Sequence, residues 1–386
     1  MRPSTLVFLL AAAACQRPDA ATPPVATPDP ILAAVDSTAQ AFMREYGVPG
    51  LAVGIIRPGH SPIEKGYGVT RLGGDTAVTA RTIFHMASIT KPFVATAVMQ
   101  LVEAGKVDLN APVSRYIPYF RMKDKRAAAI TVRQLLTHVA GMPDVTDYAW
   151  DHPEYDAGAL ERYVRGLADS SLIAAPGAGW AYSNIGFEVL ADLVAKVSGQ
   201  EFEVYEREHI LAPLGMTHST LLMTDVDSTA LAWGHTRNDS SVVSATKDYP
   251  YNRRHAASST MHSDAHDMLR WAEANMRHGE LDGKRILQAA TYDTMWAVQR
   301  DMFKEIQARA SRAGIELPYE SFGQGISWFL LGWRGHKLVN HSGGDRGFRT
   351  DLFMSPADSV AVVVMANQEV ADVGVLARAL LGLVLR

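Results

Sequence analysis

The chain has 386 residues, of which 47% are hydrophobic and 20% charged, with a formal net charge of -4. That length suits two or three average domains, or one large domain carrying an inserted lobe. With no basic run anywhere, the charge balance gives no electrostatic basis for binding nucleic acid, whose partners concentrate positive charge.

At the N-terminus Arg2 precedes an apolar run from Leu6 to Ala14. The run is too short to span a bilayer as a helix and reads as a secretory signal. It ends at Cys15, the sole cysteine, so no internal disulfide can form. Ala12, Ala13 and Ala14 before it resemble the lipobox of bacterial lipoproteins, in which the cysteine is lipidated, although leucine is usual where Ala12 stands. Ordinary signal cleavage nearby is the alternative. Residues 16–30 hold Pro18, Pro23, Pro24, Pro28 and Pro30 among small residues, a composition that stays extended and solvated as a tether. The expected organisation is a signal over 1–15, a tether over 16–30 and one folded body over 31–386, with a mostly helical lobe at roughly 106–255.

Within the body, apolar residues at helical spacing predict a helix from Ile31 to Tyr46, stopped by Gly47 and Pro49. "LAVGIIRPG" and "KGYGVTRL" then read as a β-hairpin. After Ser88 a helical stripe runs through Phe93, Val94, Ala97, Val98, Leu101 and Val102 to a stop at Gly105. Helices and loops dominate to about Arg300, including an acidic, aromatic and irregular segment from Asp147 to Gly158. That segment is either a loop at a functional site or an exposed connection. "GISWFLLGW", "HKLVNHSGG", "FRTDLFMSP" and "SVAVVVMAN" predict four further strands, followed by a terminal helix. A lone hairpin is marginal in water, so the two strand sets should join in one antiparallel sheet flanked by helices, giving an α+β fold.

Two Ser-x-x-Lys sequences occur, at Ser88–Lys91 and Ser244–Lys247. The first opens an apolar helix, where a spacing of three puts the amine back over the hydroxyl. The second lies among polar residues and reads as a loop coincidence. A serine hydroxyl needs a base to become a nucleophile, and a lysine serves only when burial or nearby positive charge lowers its pKa. The potential of a helix N-terminus works in that direction. "YSN" at Tyr182–Asn184 offers a phenol and an amide, or simply a helix cap. "HSGG" at His341–Gly344 offers a strand edge with free amides, or a plain turn.

Taken in order, these three motifs resemble the serine β-lactamase and penicillin-recognising family, above all its class C branch with DD-peptidase and esterase relatives. Connecting stretches such as "ITVRQLLTHVAGMPD" and "VVVMANQ" carry the same resemblance. It implies a β-lactamase/transpeptidase-like fold and a serine hydrolase that needs no metal or organic cofactor. Ser88 is then the acylated nucleophile, with Lys91 and Tyr182 sharing proton transfer. Asn184 contacts the acyl side chain of the substrate, and His341, Ser342, Gly343 and Gly344 form the binding strand. Gly344 supplies the second oxyanion amide beside that of Ser88. The substrate would be a small molecule or peptide, acted on outside the cytoplasmic membrane by a periplasmic or cell-envelope lipoprotein. The rival expectation is a non-hydrolytic lipoprotein that senses peptidoglycan peptides or β-lactams.

Three departures bear on substrate. His341 stands where class C β-lactamases favour lysine. Glu369 and Asp372 stand where those enzymes place asparagines to meet a carboxylate, which two acids would repel. Ser258 and Ser259 stand at a patch that the family often fills with glycines. His262 and His266 have a spacing that can bind a metal on one helix face, but the surrounding "HSDAHDMLRW" resembles a helix-opening stretch of the family with capping and surface roles. His138 is expected to be a structural hydrogen-bonder.

Overall fold

The computed structural model describes residues 29–237 and 243–385, so the signal segment, Cys15 and the tether as far as residue 28 lie outside the described residues. The first helix, α1, spans Pro30–Tyr46. Pro30 is therefore its opening residue rather than the end of the tether. Proline suits that place because its missing N–H would have no intrahelical partner. Asp29 caps the helix through Ile31 N, and Gly47, at φ 65°, ends it in the left-handed conformation.

The hairpin strands are β1 (Gly50–Ile56) and β2 (Ile63–Gly68). The C-terminal strands are β3 (Arg300–Asp301), β4 (Ser321–Gln324), β5 (Phe329–Trp333), β6 (His336–Asp345), β7 (Phe348–Ser355) and β8 (Val360–Ala366). They form one antiparallel sheet in the order β2-β1-β8-β7-β6-β5-β4-β3. As expected, hairpin and meander join: Val53 of β1 faces Val364 of β8. The two strands beyond the expected set, β3 and β4, extend the edge. Two residues in one and "SFGQ" in the other carry too little alternation to announce a strand.

Both faces of the sheet are covered. Leu51, Val53, Phe353, Val362 and Val364 pack under α1 and the terminal helix α5 (Val373–Val384). Ala52, Leu352, Met354, Val363 and Met365 face the helical layer. That layer holds α2 (Thr90–Glu103), α3 (Asn184–Ser198) and α4 (Ala265–Met276). Eleven of the fourteen residues of α2 are buried, so it is a central helix enclosed all round rather than a striped surface helix. Phe93 stacks on Trp271 of α4 with ring centroids 3.9 Å apart.

Ser244 lies on a short strand, Val243–Ala245, paired with His235–Arg237, and its side chain is exposed. It is a surface strand residue rather than a loop residue, and it faces no amine in a buried setting. Among the described residues no helix is long and apolar enough to cross a membrane.

Candidate active site

The two-residue strand Phe84–His85 pairs with His262–Ser263 and delivers the chain into a 3-10 turn, Ala87–Ile89. Ser88 sits in that turn, one residue short of α2, and is partly open to solvent while its neighbours are buried. The expectation that Ser88 opens the helix itself is corrected by this turn. Ala87 has φ 49°, a left-handed value that costs a non-glycine residue energy and requires support from its surroundings. The support is visible. Thr90 Oγ1 donates to Ala87 O at 2.7 Å and accepts from Met261 N at 3.0 Å, and Thr350 Oγ1 donates to Met86 O at 2.9 Å.

Lys91, the second residue of α2 and about one turn past Ser88, is fully buried. Its Nζ lies 3.0 Å from Ser88 Oγ, 2.6 Å from Asn184 Oδ1 and 2.7 Å from the Ser258 carbonyl. The last two partners can only accept. A neutral amine gives them its two hydrogens and turns its lone pair to the Ser88 hydroxyl. Burial lowers the Lys91 pKa to about 8, although the carboxyl groups of Glu188, Asp345 and Asp144 pull it upward.

Asn184 is held in the orientation this requires. Its backbone N and side-chain Nδ2 both donate to Asp144 Oδ1, at 2.9 and 3.0 Å, so its carbonyl oxygen must face Lys91. The sequence reading missed Asp144, although it ends the quoted "GMPD"; an acid after a Gly-x-Pro turn was the available signal. Ser183 proves to be the cap of α3, through Gly186 N, so the capping reading of "YSN" falls on the residue between Tyr182 and Asn184.

Burial pushes the Tyr182 phenol well above the ordinary tyrosine range, and Ser88 nearby works in the opposite direction. The Tyr182 ring stacks on His138, with centroids 4.3 Å apart, and the Lys91 amine sits 5.0 Å from the Tyr182 ring centroid. His138 accepts from Ser183 N at 3.2 Å through Nδ1 and is kept neutral by burial, in line with its expected structural role.

Strand β5 begins opposite Asn340, which leaves that edge of β6 from His341 onward free of a strand partner, and the Ser88 turn packs there. Gly343 makes this approach possible: a Cβ on it would lie 2.2 Å from Met86 O and 2.4 Å from Thr350 Oγ1. His341 does not enter the cleft as expected of a binding residue. It is 1% exposed, its Nδ1 is tied to Ser342 O at 2.8 Å, and its Nε2 has neither solvent nor a protein partner. Burial, with the Lys91 charge second, drives its pKa to about 3, so it is a neutral imidazole stacked on Phe329. Strand alternation turns it inward, behind the edge.

Ser342 and Gly344 are exposed and line a cavity of 460 Å³ with Arg349, Asp351, Glu369 and Asp372. Glu369 and Asp372 are thus at the site, as read, but Arg349 adds a cation that the sequence reading overlooked. Burial raises the Asp351 pKa to about 7.

The segment from Asp147 to Gly158 borders a second cavity, of 330 Å³, through Tyr148 and Trp150, opposite Arg346 of the β6–β7 turn. Asn252 fixes it by donating to the carbonyls of Tyr148 and Ala149 at 3.1 and 3.2 Å. Ser258 and Ser259 lie in a short buried helix, Ala256–Ser259, with no left-handed φ, so no glycine is needed there. His262 sits on a buried strand and His266 on α4, paired to Glu64 at 2.8 Å, so the two do not share a helix face. Asp264 caps α4, as expected, but it and Asp267 are buried rather than solvated.

Residues 35–385 match the family model described as Beta-lactamase. The chain is 25% identical over 335 residues to Protein flp of Staphylococcus aureus (strain MW2), covering 86% of this chain and 62% of that protein's length. It is 27% identical over 354 residues to the D-alanyl-D-alanine-carboxypeptidase/endopeptidase AmpH of Escherichia coli (strain K12), covering 90% of this chain and 87% of that one. The fold matches the octameric penicillin-binding protein homologue from Pyrococcus abyssi with a TM-score of 0.77 at 24% identity, over 91% of this chain and 76% of that one.

Proposed function

This chain belongs to the beta-lactamase family, and on that premise we propose that it is a serine hydrolase that cleaves an ester or amide through an acyl-enzyme on Ser88. The observation that carries the reading is the Lys91 amine, buried, 3.0 Å from Ser88 Oγ and otherwise surrounded by acceptors.

Lys91 takes the Ser88 proton as Oγ attacks the carbonyl carbon. The resulting oxyanion is held by the amides of Ser88 and Gly344, each such donor typically contributing about 3 kcal/mol. Tyr182, whose phenol stays protonated at neutral pH, passes a proton to the leaving group and is resupplied from Lys91. Water then releases the acyl group by the same route in reverse. Asn184 fixes the Lys91 amine and borders the acyl side of the site.

Glu369 and Asp372 outnumber Arg349 in the cavity beside Gly344, while Asp351, its pKa raised to about 7, adds only part of a charge. That favours an ester over a substrate that brings a carboxylate to this cavity, whether a β-lactam or a peptide with a free C-terminus. Residues 1–15 export the chain, Cys15 is lipidated, residues 16–28 tether it, and the remainder acts as one catalytic domain at the cell envelope.

A steady-state panel tests this reading with a p-nitrophenyl ester, a peptide ending in two D-alanines and a penicillin. Turnover of the ester at least tenfold above penicillin supports it. A penicillin adduct that persists while all three substrates go unhydrolysed would favour the sensing lipoprotein instead.

A further inference from the structure

Behind Lys91, inside the helical layer, lies a buried acid that the motifs do not include. Glu188 is four residues past Asn184, on the same face of α3, and is fully buried. Its Oε2 accepts from Ala257 N at 3.2 Å, and Ala257 is the residue before Ser258, whose carbonyl holds the Lys91 amine. The remaining oxygen, Oε1, is buried with no hydrogen-bond partner. It lies 3.6 Å from Nδ1 of His255, which is likewise buried and unpartnered.

The tautomer of His255 follows from its other nitrogen. Arg254 Nε donates to His255 Nε2 at 3.2 Å, and arginine only donates, so Nε2 is the acceptor and the ring proton sits on Nδ1, facing Glu188. Tyr148 and Tyr163 close the imidazole in with edge contacts at 4.9 and 4.7 Å.

We propose that Glu188, supported by His255, is a positioning residue for the Ser88–Lys91 reaction: it anchors the Ser258 carbonyl against the amine and sets the amine's proton occupancy from inside the lobe. The proposal rests on the reading of Lys91 as the base. An enclosed acid is costly to bury, and here it works against the very desolvation that frees the amine. Of the groups that raise the Lys91 pKa, Glu188 is the strongest, ahead of Asp345 on β6 and Asp144 on the loop before α3. The other titratable groups facing the amine are Tyr182, His138 and His341, all kept neutral by burial at pH 7. With its charge in place Glu188 favours the ammonium that forms when Lys91 takes the Ser88 proton, which the amine then hands on to Tyr182 and the leaving group.

The test is the pH dependence of the rate at which a fluorophosphonate labels Ser88, followed by intact mass. Removing the charge in Glu188→Gln should move the acid limb down by about one pH unit and speed labelling at pH 6.5. Glu188→Asp keeps the charge but withdraws from Ala257 N, so its limb should stay with the wild type while its alkaline plateau falls severalfold. An unmoved limb in a folded Glu188→Gln protein overturns the inference. Should that variant not fold, an unchanged plateau in Glu188→Asp overturns it. Wild type left unlabelled at Ser88 is a separate result, since it removes the proposed function rather than the role of Glu188.

Discussion

Nε2 of His85 lies 2.8 Å from Oδ2 of Asp345, a partly buried contact across 260 residues of sequence. His85 ends the strand that leads into the Ser88 turn, and Asp345 directly follows Gly344. The pair therefore ties the nucleophile's turn to the strand that carries the proposed second oxyanion amide. His85→Ala and Asp345→Ala should each lower kcat about tenfold at the alkaline plateau, about 1.4 kcal/mol of barrier, with smaller changes in KM. If the two act as one clamp, the double variant loses much less than the sum, which a double-mutant cycle on ester hydrolysis measures.

Lys91 must be neutral to act as base, and burial brings its pKa to about 8. The protonated form dominates below that value, so kcat/KM should fall tenfold per pH unit under about 8 and level off above it. Lys91→Arg cannot supply a neutral base and should lose about a thousandfold or more at every pH. A pH profile of the single-turnover rate checks both statements.

The orientation of Asn184 depends on Asp144, whose Oδ1 receives both of its donors. Asp144→Ala releases the amide to rotate and should cost about tenfold in kcat/KM. Asp144→Asn keeps an acceptor oxygen and should cost less, which steady-state kinetics of the two variants will distinguish.

Gly343→Ala would place a methyl group 2.2 Å from a backbone oxygen, a contact only strand displacement can relieve. Overpacking of this kind costs about 1–3 kcal/mol in stability. Because the displaced strand carries Gly344, activity should fall further than stability does, by about a hundredfold. Thermal melts and acylation rates on the same sample compare the two effects.

Asp351 has its folded pKa raised by burial to about 7, from 3.8. A raised carboxyl holds its proton better in the native state, so its contribution is intact below pH 4 and is lost as pH rises through 7. Relative to Asp351→Asn, the wild type should lose stability between those limits, by on the order of 4 kcal/mol at most. Denaturant melts of both proteins at pH 4.5 and 7.5 give the difference.

Much of this site was legible in the sequence because its parts are local. Ser88, Lys91, Tyr182 and Asn184 sit at element boundaries whose signals are helix periodicity and caps, and those signals survive without tertiary knowledge. The two sheet edges read differently. "SVAVVVMAN" announced β8, whereas β4 offered only "SFGQ", which is a strand because β5 lies beside it. Glu188 was hidden for another reason. It sits within an apolar helical run, and an acid there reads as a solvated position until the helix is seen to be buried from Asn184 to Val194. His341 was placed one face wrong, because a motif fixes the strand but not which side of it a given residue faces.

The account depends above all on Ser88 being the residue that is acylated. Wild type and Ser88→Ala would be exposed to a fluorophosphonate, digested and mapped by mass spectrometry. One adduct per chain, confined to the peptide containing Ser88 and absent from the variant, is the predicted result. An adduct that persists in Ser88→Ala, or that maps to another residue of the wild type, would contradict it.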